Sequence, residues 1–353
     1  MQNIKQDITH RYKALDGLRF LAVLCVIASH NLNSKTVYIF GHLSLDTFFV
    51  MSGFLIINIL FYLKDKIDIR KLNVGNALKI FYIRRTLRIF PIYYFTLLMI
   101  WLFYNKDVNG RMFWHLSYLT NFYVLKVGDW TGELIENYWS LAVEEQFYII
   151  MPLLIFLIPK KYSPVLLIFC VFIALIQRGY VFHMNRNYLE SYLMMPACLD
   201  AFAMGGFLAY TVNQQLFYIQ KWIKSIWFCS FVLVFAVLTA WHEIFDWASI
   251  WHIVFQRFSF ALLGVYLITY CISDAKDIFH RFLGTPFMVW GGKVSYGMFL
   301  FESIVALWTP QDILSQHEIL KFMLHAVLSF ILASVAQILI ERPFNRLKDH
   351  FSY

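Results

Sequence analysis

Charge is scarce in this chain: Asp, Glu, Lys and Arg together make up only 15% of 353 residues, while 60% are hydrophobic. An ordinary soluble domain carries roughly 25% charged residues, so a water-soluble globule is excluded for want of polar surface. Cysteine is also sparse. Cys25, Cys170, Cys198, Cys229 and Cys271 sit in or beside apolar runs without paired spacing, which excludes a disulfide framework and a thiolate metal site. Other chemistry-bearing patterns are missing too. There is no Walker loop, dinucleotide fingerprint, GxSxG elbow or Cys-His arrangement, and the histidines show no HExxH spacing. These gaps argue against ATP hydrolysis, nicotinamide chemistry, a serine or cysteine acyl-enzyme and a protein-held metal.

What is present is membrane-like. Ten segments are expected to cross about 30 Å of hydrocarbon: Leu15 to Leu32, Leu43 to Leu63, Leu87 to Tyr104, Tyr138 to Ile158, Pro164 to Gln177, Pro196 to Tyr210, Ile223 to Ala240, Ile250 to Cys271, Phe287 to Trp308 and Phe322 to Leu339. The stretch at Asn121, Phe122 and Tyr123 is a candidate to dip into the membrane. With 36 Phe, 21 Tyr and 11 Trp, the chain is rich in rings suited to interfaces. The net charge of +8 does not indicate nucleic acid, because the basic residues crowd into alternate short loops such as Lys64 to Arg88 and Arg342 to Lys348. That bias predicts both termini on the cytoplasmic side. The expected fold is an all-α integral membrane bundle of about ten transmembrane helices, one domain over residues 1–353 with no appended soluble catalytic domain.

Several polar residues interrupt the apolar runs. Arg19 and His30, eleven residues apart, turn through about 1100° on a helix and so share a face about 16 Å apart, with Asp16 near the same stripe. A cation and an imidazole at different depths are costly in lipid and point to an internal polar site or path. Asp46 lies on the second span near the His30 level, as a site carboxylate or a water-facing interfacial residue. Ser52 and Gly53 after it suit close helix packing. Arg85 and Arg88 fall on one helical face, able to grip a phosphate or to anchor on anionic lipid. Ser140 and Glu144 lie one turn apart at the start of the fourth span, while Glu145 points about 100° away. Two carboxylates there exceed what a helix cap requires, with Glu144 favoured if Ser140 lines a cavity.

Taken in order, these residues resemble the membrane acyltransferase family 3, whose members modify cell-surface sugars and some other acceptors. Arg19 and His30 are similar to its R-x10-H signature, Phe48 to Gly53 to its FFxxSG block and Arg85 to Arg88 to its RxxR element. Trp139-Ser140-Leu141 with Glu144 and Glu145, Ser295-Tyr296, and Glu341-Arg342-Pro343 resemble later landmarks, so the likeness runs from residue 16 to 343. Two departures stand out. Glu302 occupies a position where many relatives have histidine, and Cys198-Leu199-Asp200 lacks an arginine often found near the sixth span. Both bear on acceptor binding.

The resemblance implies an O-acyltransferase, most often an acetyltransferase, of the bacterial inner membrane. Acyl-CoA would be co-substrate and a lipid-linked or polymeric envelope glycan, such as lipopolysaccharide O-antigen or exopolysaccharide, the acceptor. Arg85 and Arg88 would hold donor phosphates, Arg19 would line the thioester path, and His30 would act as general base with Glu144 or Asp46 orienting it or binding acceptor. Ser140, Glu145 and Glu302 are the expected acceptor-side residues. Direct transfer and an acyl-His30 intermediate both remain open. The rival reading from another class is a transporter or flippase using the same intramembrane Arg, His and acidic groups. A structural or sensing membrane protein is the third.

Overall fold

The computed structural model describes residues 12–103, 111–130, 135–244, 249–273, 275, 277–309 and 317–351. Ten long helices follow one another: α1 (Lys13–Asn31), α2 (Lys35–Asp68), α3 (Val74–Phe103), α4 (Trp139–Leu157), α5 (Ser163–His183), α6 (Met195–Asn213), α7 (Ile226–Ile244), α8 (Gln256–Cys271), α9 (Pro286–Trp308) and α10 (Glu318–Ala336). No strand occurs among the described residues. Residues 1–11, on which the expectation for the N-terminal end depends, lie outside the described set.

Among the described residues, eight helices are long and apolar enough to cross a membrane, and up to nine if Phe217–Ile223 and Ile226–Trp241, bent by 52°, form one span. This is fewer than the ten crossings expected from hydropathy. The remaining segment does form a 23-residue helix, α9, but Lys293, Ser295 and Glu302 dilute its apolar character. Ser295 and Glu302 are buried in the protein, and Lys293, although exposed, borders the cavity.

Helix ends also differ from the apolar boundaries. α2 starts at Lys35 rather than Leu43, and α3 at Val74 rather than Leu87. Backbone hydrogen bonding continues through polar turns once a helix has nucleated, whereas hydropathy registers only the part that suits lipid. The longer α3 therefore carries Arg84, Arg85 and Arg88 within a regular helix rather than in a loop.

α2 is the centre of the bundle, packed by α1, α6 and α8, with α9 on α1 and α10 on α9. Its contact with α6 is unusually close. A Cβ on Gly53 would come within 2.0 Å of the Phe202 carbonyl oxygen, and one on Gly205 within 1.9 Å of that of Val50. Without side chains at both positions the backbones can approach, the small-residue packing typical of membrane helices. α5 and α10 are peripheral by contrast. Only 28% and 22% of their apolar windows are buried, so their bare aliphatic and aromatic faces are the surfaces suited to lipid.

Between α3 and α4, short helices Met112–Leu116 and Thr120–Val127 fold back into the bundle, the second ending at Gly128 with φ 87°. A positive φ there suits glycine as the left-handed residue closing a helix. The Tyr93 hydroxyl donates to the His115 carbonyl at 2.8 Å, while Gln146 Nε2 donates to Asn121 Oδ1 at 3.0 Å and to the Tyr118 carbonyl at 3.2 Å. Asn121 and Thr120 are fully buried. These bonds satisfy several of the polar groups that the segment brings into an apolar interior, while His115 Nε2 and the Tyr118 hydroxyl remain without a partner.

Candidate functional site

Helices α1, α2, α3, α4 and α9 enclose a cavity of about 130 Å³. Its basic end is lined by Arg19, Arg85, Arg88 and Lys293, with Glu341 beside them. Arg85 and Arg88 share a face of α3 because they are three residues apart. Arg84 faces elsewhere, donating to the carbonyls of Lys348 at 3.0 Å and Phe351 at 2.8 Å. It thereby fixes the segment after α10 beneath the mouth. Lys348, outside the spanning segments, donates to Asn345 Oδ1. Burial together with the nearby Arg88, Arg85 and Arg84 guanidiniums lowers its pKa to about 7. A mouth so rich in cations suits a polyanion.

Further along, Ser52 Oγ donates to Glu144 Oε1 at 2.7 Å, and the Tyr148 hydroxyl lies 3.1 Å from Glu144 Oε2 and 3.2 Å from Ser52 Oγ. Glu144 and Tyr148 come together because they are one turn apart on α4. Arg85 lies over the Tyr148 ring, 4.5 Å from its centroid. Arg19 Nε contacts Met51 Sδ at 3.0 Å, and its Nη1 stands 3.9 Å from Asp16. The sequence suggested packing for both Ser52 and Gly53. The two adjacent residues instead divide the work, Gly53 facing α6 and Ser52 facing the cavity.

Glu144 and Glu145 both line the cavity, although they point in different directions. Glu144 is held by Ser52 and Tyr148, whereas Glu145 Oε1 is buried without a hydrogen-bond partner. Ser140 also lines the cavity, its hydroxyl donating to the Asn137 carbonyl at 3.2 Å.

His30 and Glu302 form a pair beyond the apolar end. His30 Nδ1 lies 2.9 Å and 3.0 Å from the two Glu302 carboxylate oxygens, and Asn31 Nδ2 donates to Oε1 at 3.3 Å. Val26 on α1 and Phe299 on α9 line the cavity, each about one turn before its partner in this pair, so the same two helix faces continue from cavity to dyad. The His30 side chain keeps 30% of its exposure and that of Glu302 only 6%. A carboxylate sealed behind an accessible imidazole fixes the ring through one nitrogen and leaves the other available to a ligand.

Asp46 occupies a different place. Its carboxylate pairs with Arg257 Nε at 2.9 Å, deep between α2 and α8. Arg257 also donates to the Tyr192 carbonyl at 3.0 Å and contacts Cys198 Sγ at 2.7 Å. Nearby, Arg178 pairs with Asp200 and donates to the Ala197 carbonyl at 2.8 Å. Thus Asp200, in the segment that departs from the family pattern, takes its cation from α5. Asp46 lies outside the cavity lining because α2 turns Leu45, Phe48, Phe49 and Ser52 toward the cavity instead.

Sequence reasoning missed Tyr148, Lys293 and Tyr296 as cavity-lining groups. Tyr148 had a usable signal, its one-turn spacing from Glu144. Lys293, inside the expected span from Phe287 to Trp308, carried no local pattern that marked it. No group of three or more His, Cys, Asp or Glu residues able to hold a metal occurs among the described residues.

Residues 12–341 match an acyltransferase domain family, acyltransferase 3. The chain is 28% identical over 361 residues to the peptidoglycan O-acetyltransferase OatA of Listeria monocytogenes, covering 94% of this chain and 56% of that protein. It is 27% identical over 356 residues to a putative O-acetyltransferase of Staphylococcus aureus and 26% identical over 362 residues to the O-acetyltransferase OatA of that species, in each case covering 94% of this chain and 57% of the relative. The chain therefore spans a little over half the length of these curated relatives. No solved structure matches it significantly.

Proposed function

The chain belongs to the membrane acyltransferase 3 family, and from that premise we propose that it is an O-acyltransferase moving an acyl group, preferentially acetyl, from acyl-CoA to a hydroxyl of a cell-envelope glycan. The chain works as a single membrane domain, spanning the bacterial inner membrane ten times with both ends cytoplasmic and α9 as one of the ten crossings. The relatives' names support an acetyl group and, in one case, a peptidoglycan acceptor. One observation carries the reading: a single face of α1 connects the cation-lined mouth, through Arg19 and Val26, to the His30–Glu302 pair.

The residues fit an acyl-CoA. Arg85, Arg88 and Lys293 present several positive charges to its phosphates, with Arg guanidiniums able to form paired hydrogen bonds. A long thin arm suits a passage of this kind, since the distance between Arg19 and His30 along α1 is about 16 Å. Near the dyad the lining turns apolar, with Val26, Phe48, Leu141 and Phe299, which suits the thioester and a short acyl chain.

His30 is the general base. The Glu302 carboxylate accepts a hydrogen bond from Nδ1–H, so Nε2 carries the lone pair and removes the proton from the acceptor hydroxyl. The hydroxyl oxygen attacks the thioester carbonyl, the new C–O ester bond forms as C–S breaks, and His30 returns the proton to the departing thiolate. Glu302 stabilises the transient imidazolium, the role a buried carboxylate plays in other His-based sites. Glu144, tied to Ser52 and Tyr148, shapes the passage between Arg85 and the dyad. Asp46 acts through the Arg257 pair as a positioning residue for α2.

The test is acetyl transfer by the protein reconstituted in lipid, using acetyl-CoA and isolated envelope glycan. Ester formation matched by thiol release supports the proposal. Acetyl-CoA left intact by wild-type protein in the presence of glycan from its own envelope defeats it.

A further inference from the structure

Besides Glu341 Oε1 at the basic end of the cavity, four buried polar atoms in or beside its wall lack protein hydrogen-bond partners: Glu145 Oε1, the Tyr296 and Tyr118 hydroxyls, and Arg85 Nε. They belong together. Glu145 and Tyr296 are electrostatic neighbours of Tyr118, Glu145 is a neighbour of Tyr296, and Arg85 is the opposite charge nearest in effect to Glu145. Glu145, Tyr296 and Arg85 all line the cavity, while Tyr118, on the folded-back segment between α3 and α4, stands outside the lining. Tyr118 is locked there by stacking on Tyr93, with ring centroids 4.2 Å apart.

Buried polar groups nearly always have partners, because each one left without costs free energy. Glu144, the neighbouring carboxylate, obeys this rule through Ser52 and Tyr148. Glu145, one residue on, has comparable chemistry but presents Oε1 to no protein donor. The carboxylate is an acceptor, and the phenols can donate or accept. Such a set recognises a ligand carrying both N–H or O–H donors and carbonyl acceptors.

Position identifies that ligand. The cluster follows the cationic mouth of Arg88 and Lys293 and precedes the apolar stretch of Val26, Phe48 and Phe299. Cation, mixed donor and acceptor, then apolar is the order of groups along an acyl-CoA: phosphates, then the hydroxyl and amides of the pantetheine arm, then the methylenes, sulfur and acyl chain. We infer that Glu145 and Tyr296 form a pantetheine subsite, in which the Glu145 carboxylate accepts from the arm's hydroxyl or amide N–H and the Tyr296 hydroxyl serves its carbonyls, with Tyr118 packed behind them. This rests on the acyl-CoA reading above and reassigns Glu145 from acceptor to donor recognition. It makes the cluster the part of the site that distinguishes a pantetheine thioester from other adenine nucleotides.

The experiment titrates wild-type, Glu145→Gln and Tyr296→Phe proteins in lipid nanodiscs with coenzyme A and, separately, with adenosine 3′,5′-bisphosphate, which has nucleotide phosphates but no arm. Both substitutions are nearly isosteric. The expected result is about a 10-fold weaker affinity for coenzyme A in Glu145→Gln, as for loss of one charge-assisted hydrogen bond, and a smaller loss in Tyr296→Phe. Affinity for the bisphosphate should stay within about 2-fold in both, within the range of a change that removes no contact. Equal losses for both ligands indicate a general distortion of the cavity and overturn the inference. Unchanged coenzyme A binding in Glu145→Gln, or a change confined to glycan affinity, also overturns it while leaving the acyltransferase reading intact. Wild-type protein that binds neither ligand defeats the donor reading itself.

Discussion

Replacing Glu302 by Gln isolates the contribution of charge behind His30. The substitution keeps shape and one carbonyl acceptor for the Nδ1 proton, so the loss is mainly that of the negative charge facing the imidazolium formed during proton transfer. With carboxylate oxygens 2.9 Å and 3.0 Å from Nδ1, a charge separation of about 4 Å and an effective dielectric of about 20 give roughly 4 kcal/mol. His30 retains 30% side-chain exposure, so solvent screening reduces this to about 2 kcal/mol. That corresponds to about a 30-fold fall in kcat. Competition between the Gln amide faces adds to it by favouring the wrong tautomer, within the 100- to 10,000-fold range of general base catalysis. The KM for acetyl-CoA should change by no more than about 2-fold, as expected when an interaction made only in the transition state is removed. The assay is steady-state thiol release in nanodiscs with saturating glycan, alongside thermal unfolding to confirm an intact protein. A variant that retains full kcat, or loses activity entirely through KM for the donor, refutes the assignment of Glu302 as the group behind the base.

Four further expectations follow from the same geometry. His30→Ala should lower transfer by at least about 100-fold while the protein remains inserted and monodisperse, because the side chain is partly exposed at the end of α1; transfer within a few-fold of wild type would remove His30 from the chemistry. Arg85→Ala with Arg88→Ala should weaken coenzyme A binding by at least about 10-fold and flatten its salt dependence, and donor titrations that do not move would make these residues lipid anchors. Asp46→Asn should lower the melting temperature, since breaking a buried ion pair costs about 3–5 kcal/mol, yet leave kcat per folded molecule near wild type; the opposite pattern would return Asp46 to catalysis. Lys348, with its pKa lowered to about 7 by burial and the Arg88, Arg85 and Arg84 charges, is charged below that pH and neutral above it. Donor binding should therefore tighten as pH falls from 8 to 6 (roughly one protonation at a site titrating near neutrality), and Lys348→Met should remove that component; equal pH profiles in the two proteins would exclude Lys348 from the mouth.

Much of this architecture was legible from hydrophobic runs, because lipid imposes a strong length and polarity constraint on each helix. Helix α9 shows where that signal weakens. Lys293 and Glu302 lower its hydropathy for the very reason that they face the cavity and the dyad, so the helix richest in site residues was the least membrane-like. Helical spacing was sufficient to group Arg19 with His30 and Arg85 with Arg88, since both pairs depend only on one helix's own geometry. Cross-helix partners were not accessible in this way. Nothing local to Asp46 indicates Arg257, and nothing near His30 indicates Glu302, 272 residues away. Ser52 and Gly53 illustrate the same limit, since adjacent residues serve a helix contact and a polar site according to which neighbour each happens to face.

The most direct measurement is stoichiometric transfer from acetyl-CoA labelled in the acetyl group, by purified protein in proteoliposomes supplied with glycan from its own envelope. Wild-type protein should place label on the glycan as an alkali-labile ester, with one free thiol released per ester, and the His30→Ala protein should give neither. Unlabelled glycan appearing on the far side of the vesicle, with acetyl-CoA untouched, would contradict acyl transfer and identify the Arg19 to His30 passage as a transport route.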